Sequence, residues 1–128
     1  MSYYFSKILE MPFDAAIDHV TEVLKGEGFG VLTDIDVRAT MKKRLDVDFR
    51  NYRILGACNP PFAHQALVAE DKIGTMLPCN VIVQERPEGG VEVAAVDPIA
   101  SMQAIDNPAL AGVAQQVQAK LKKVVESL

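Results

Sequence analysis

Two strand-like runs, Leu77 to Glu85 and Val91 to Val96, flank the segment Arg86-Pro87-Glu88-Gly89-Gly90, and this arrangement restricts the fold more than any other. Cys79, Val81 and Val83 alternate with Asn80, Ile82 and Gln84 at the period of two that a pleated strand imposes. A short loop with two glycines joins antiparallel neighbours, so these runs form a hairpin. A hairpin alone is marginal in water, and the rest of the chain must supply its remaining strands and cover.

Other segments supply them. Tyr3 to Leu9 reads as a first strand. Pro12 suits the first turn of a helix in which Phe13, Ala16, Ile17, Val20, Val23 and Leu24 make one apolar stripe, with Gly26 and Gly28 ending it. Phe29 to Val37 alternates as a strand, placing Phe29, Val31, Ile35 and Val37 on one face. Asp36 is positioned to cap a short helix in which Val37, Met41 and Leu45 stack every four residues. Tyr52 to Cys58 is a strand, and Pro60-Pro61 pre-set a helix from about Phe62 to Glu70. Asn107-Pro108 begins a last helix with Leu110, Val113, Ala114, Val117, Leu121, Val124 and Val125 along one side.

The order β-α-β-α-β-α-β-β-α predicts a two-layer α+β domain over residues 1–128, about five strands with helices on one face. Strand alternation places Leu32, Leu55, Ala57, Ile82, Ala94 and Val96 on the opposite face, apolar enough to predict a homodimer closed there.

Composition narrows the function classes. Apolar residues make up 49% and charged residues 23%, as in an ordinary folded protein. The net charge of −4 argues against nucleic acid as a partner. Arg38, Lys42, Lys43, Arg44, Arg50 and Arg53 cluster, but Asp34, Asp36, Asp46 and Asp48 lie among them, which favours a mixed-charge solvated face over an anion-binding patch. The N-terminal run lacks a basic start and is interrupted by Glu10, Asp14 and Asp18, and no stretch is long enough to span a membrane. A cytoplasmic protein is expected, with free thiols.

Those thiols are Cys58 and Cys79, each followed by an asparagine, with His64 between them. Alternation puts both on the face carrying Ile54, Val81 and Val83. They share an end of the sheet if their strands run antiparallel and sit at opposite ends if parallel; only the first case permits a disulfide. No Cys-x-x-Cys, phosphate loop, nucleophile elbow or His-x-x-x-His is present. The candidate site is therefore Cys58, Asn59, His64, Cys79 and Asn80. As packing residues the thiols are small hydrophobes; with His64 they make an incomplete zinc or copper ligand set. The amides of Asn59 and Asn80, with N–H groups at the Pro60-Pro61 helix start, would make a small anion pocket. No resident metal or cofactor is expected.

The blocks Gly28-Phe29-Gly30-Val31-Leu32-Thr33-Asp34, Tyr52-Arg53-Ile54-Leu55-Gly56-Ala57-Cys58-Asn59-Pro60, Ala63-His64, Ile73-Gly74, Leu77-Pro78-Cys79-Asn80-Val81 and Ala95-Val96-Asp97-Pro98 resemble the domain of unknown function 302 family in order and along almost the whole chain. The resemblance implies a small bacterial or archaeal α+β domain, commonly homodimeric, with no assigned reaction or cofactor. Gln65 departs from the pattern, where a basic residue often follows the histidine. Two functions stay open: a non-catalytic ligand-binding or interaction module with a pocket near Cys58, His64 and Cys79, or a thiol-dependent redox, sulfur-handling or soft-metal protein.

Overall fold

The computed structural model describes residues 2–128. In chain order its elements are β1 (Tyr4–Leu9), α1 (Phe13–Gly26), β2 (Gly30–Asp36), α2 (Val37–Leu45), β3 (Tyr52–Cys58) and α3 (Pro60–Ala69). A 3-10 turn (Ile73–Met76), β4 (Cys79–Glu85), β5 (Val91–Val96), α4 (Pro98–Ser101) and α5 (Pro108–Ser127) follow. The expected hairpin is β4–β5, with Glu85 opposite Val91. Its turn closes through Gly89 N–H to the Arg86 carbonyl at 3.0 Å, and Gly89 and Gly90 take φ of 98° and 79°, which a side chain would oppose.

The sheet order is β1-β5-β4-β3-β2, with every neighbouring pair antiparallel. The fold is α+β, as the element order implies. One face of the sheet carries Leu55, Ala57, Cys79, Val81, Val83, Val91, Val93 and Ala95, all buried. Helix α1 covers it with Ala16, Val20 and Leu24, and α5 with Val117, Leu121, Val124 and Val125. These are the stripes that helical spacing marks, and their burial is what holds such helices in place. A smaller cluster of Ala66, Ile73 and Leu110 lies where α3 and the 3-10 turn meet α5.

Three sequence expectations need correction. Leu55 and Ala57 belong to the buried face, while Ile82, Ala94 and Val96 are on the open one. Their register partners settle this: Leu55 faces Val81 and Ala57 faces Cys79. Secondly, Val31 and Ile35 do not share a face. The β2–β3 register shifts between Val31 and Thr33, a bulge that absorbs Leu32 and reverses the alternation beyond it. Val31 packs on the core, Ile35 is 49% exposed and Leu32 68% exposed. Thirdly, α2 buries none of its residues, and Leu45 is 66% exposed. A single row at intervals of four is narrower than the stripe a core-facing helix needs. The helix is held locally instead, by Asp36 accepting from the Ala39 N–H at 2.9 Å and by Lys42 paired with Asp46 at 2.8 Å.

Part of the basic cluster is answered within the fold. Arg53 bonds Asp34 at 2.7 Å, and Arg50 donates to Gln84 at 2.9 Å while lying over the Phe49 ring. Among the described residues, no helix is long and apolar enough to cross a membrane.

Candidate functional site

The direction of β4 decides what the two thiols can do together. β3 and β4 are antiparallel, so Cys58 and Cys79 lie at the same end of the sheet, with Ala57 directly opposite Cys79. That register also separates them. Cys79 is in phase with Val81 and Val83 on the buried face, whereas Cys58 is in phase with Ile54 and Gly56 on the other. The expectation of a shared face thus fails by one residue, and both cysteines are free.

Both cysteines nevertheless line one space, a cavity of about 310 Å³ at this end of the sheet. Its strand wall is Ala57, Cys58 and Cys79, with Phe29 and Leu32 beside it. Helix α3 contributes Phe62, Ala63, Ala66 and Leu67; α5 contributes Val113, Ala114 and Val117. The chain between α3 and β4 adds Gly74, Leu77 and Pro78, and the stretch after β5 adds Pro98 and Met102. Sequence pattern explains the wall on α3. Its apolar residues are spread around the helix, so Ala66 turns to the interior while Leu67 stays 46% exposed. The volume is at the lower end for small-molecule sites, which run from about 300 Å³ upward.

The polar character of this space is low, for identifiable reasons. No Asp, Glu, Lys, Arg or His lines it. Asn59 is its one side-chain amide, and that group donates to the Glu27 carbonyl at 3.3 Å, tying the β3–α3 junction to the end of α1. Pro60 and Pro61 occupy the first turn of α3, so two of the N–H groups that make a helix start attractive to anions are missing. Burial, reinforced by the neighbouring Cys58, pushes the Cys79 thiol from its ordinary 9.0 up to about 11. A nucleophilic cysteine needs the opposite shift. Cys79 is a protonated wall of the cavity at neutral pH.

The five sequence candidates divide. Cys58, Asn59 and Cys79 line the cavity. His64 is on α3, exposed to solvent and outside the lining. Asn80 is exposed on the open sheet face, in a separate depression with Tyr3, Tyr4 and Tyr52. The two asparagine amides therefore do not converge. No group of three His, Cys, Asp or Glu among the described residues is gathered to hold a metal ion, so Cys58, His64 and Cys79 do not form a ligand set. Sequence reasoning missed Phe62, Leu77, Met102 and Val117 as lining residues. Val117 was legible only as part of a helix stripe, and Met102 lies in a stretch with no periodic pattern.

A family model described as a domain of unknown function, DUF302, matches residues 5–128. No curated protein matches the chain. Among solved structures, an uncharacterized conserved DUF302 protein from Bacillus stearothermophilus superposes with a TM-score of 0.90. It shares 25% sequence identity, and the match covers 98% of each chain.

Proposed function

We propose, for a chain that belongs to the DUF302 family, that its function is to bind a small molecule, without catalysis, in the cavity beside Cys58, Asn59 and Cys79. The observation that carries this reading is the cavity itself, a half-open apolar concavity bordered by two helices, a strand end and two loops in a protein of 128 residues. A concave, almost wholly apolar lining of this size is the form that small-molecule sites take. The cavity walls supply no acid or base to move a proton, which favours binding over catalysis. Of the two thiols, only the half-buried Cys58 retains access to solvent, so the thiol-dependent alternative narrows to that residue.

The protein acts as a homodimer closed over the open sheet face. Support comes from the cross-strand row Ile54–Ile82–Ala94, flanked by Ile8 and Tyr4, which leaves apolar surface outside the core. Sedimentation giving a dimer mass that Ile82→Lys converts to monomer is the expected result.

The binding reading is tested with N-phenyl-1-naphthylamine, a neutral fluorophore, in a chain that has no tryptophan to interfere. Saturable fluorescence enhancement is expected for the wild type and for Ala119→Leu, an exposed α5 control outside the cavity. Ala63→Leu, which fills the cavity from α3, should abolish it. Equal enhancement in all three proteins contradicts the assignment of the site.

A further inference from the structure

We infer that the ligand of this cavity is an uncharged, apolar compound, a compact ring system or hydrocarbon, and that the site discriminates against its anionic and cationic congeners. The inference rests on the cavity being the binding site and specifies what that site accepts. Three observations carry it together. The lining contains no ionised side chain, so neither sign of ligand charge finds a partner. The one amide, Asn59, already donates to the Glu27 carbonyl. The nearest helix start, α3, has Pro60 and Pro61 where free N–H groups would otherwise face an anion.

An ionised group entering such a space loses its water and regains nothing, a cost much larger than that of burying a neutral polar group. Apolar surface entering it gains in proportion to the area removed from water. Selectivity here is therefore a property of what the walls lack. Cys58 and Cys79 fit the same picture as small, weakly polar wall atoms, compatible with hydrocarbon contact.

The test is displacement of N-phenyl-1-naphthylamine by three rigid congeners: 2-methylnaphthalene, 2-naphthoate and 2-naphthylmethylammonium. The hydrocarbon is expected to compete at least about tenfold better than either ion. Leu67→Arg places a cation on an exposed lining position of α3 and should raise naphthoate affinity relative to that of methylnaphthalene. If all three congeners compete equally in the wild type, the ligand class is wrong while the site stands. If the fluorophore binds and Leu67→Arg leaves that ratio unchanged, the missing charge partner is not the cause and the inference is overturned. Should the fluorophore fail to bind the wild type at all, the cavity is not a site and both readings fall.

Discussion

Alkaline pH should weaken this fold through the Cys79 thiol. Burial holds the Cys79 pKa at about 11 in the fold against an ordinary 9.0. A group whose pKa is raised on folding stabilises fully below its unfolded value, and the contribution is lost as pH climbs toward the folded value. For Cys79 the window runs from 9.0 to about 11. A shift of about two units, at ~1.36 kcal/mol each, sets a ceiling of ~2.7 kcal/mol. Integration gives a loss of ~1.9 kcal/mol by about pH 10.5 and almost none at about pH 8. The assay is urea unfolding followed by far-ultraviolet circular dichroism at both pH values, for the wild type and for Cys79→Ala. The substitution lowers stability at neutral pH by removing buried sulfur, but its alkaline loss should be smaller than that of the wild type by about 1 to 2 kcal/mol. The comparison isolates this thiol, because every other group is common to both proteins. Cys58→Ala should trim the wild-type loss slightly, because the Cys58 charge contributes the smaller part of the rise. Identical alkaline losses in wild type and Cys79→Ala would refute the argument.

Gly56→Ala should destabilise by about 1 to 3 kcal/mol, since an added Cβ meets the Thr33 hydroxyl and comes within 2.7 Å of the Pro78 ring; a chemical-denaturation midpoint equal to wild type contradicts this. Asn59→Ala removes the bond to the Glu27 carbonyl and should cost about 1 kcal/mol in the same measurement. In native protein at neutral pH, iodoacetamide should modify Cys58 while Cys79 reacts only after unfolding, read by peptide mass spectrometry. Preferential labelling of Cys79 would overturn the placement of both thiols.

The legible parts of the fold are those fixed by local chemistry. Asn107 caps α5 through the Ala109 N–H, as Asn-Pro before a long stripe indicates, and β3 spans Tyr52–Cys58 as its composition suggests. Asp36 caps α2 at the expected position. What was not legible depends on distant segments. The bulge falls on Leu32 itself, neither glycine nor proline, and it reverses the face of Ile35. β4 is reached through the 3-10 turn at Ile73–Met76, a stretch too short for any periodicity, so its direction was not readable. α4 starts at Pro98, where Asp97-Pro98 reads in sequence as a simple turn; its cap is the Asp97 carboxylate accepting from the Ile99 N–H.

The site was half legible for the same reason. Cys58, Asn59 and Cys79 mark the correct end of the sheet, because β3 and β4 carry them there in register. His64 is near Cys58 in sequence, but its position on α3 turns it to solvent. The cavity is assembled from α3, α5, a strand end and two loops, and no local signal joins Met102 to Ala63.

The most direct test of the cavity as a binding site is a methyl NMR titration with 2-methylnaphthalene. Met102 lines the cavity, whereas Met41 is on α2 outside it. The Met102 methyl resonance should shift saturably while Met41 stays fixed. A Met102 signal that does not move, or one that moves no more than Met41, would contradict the account.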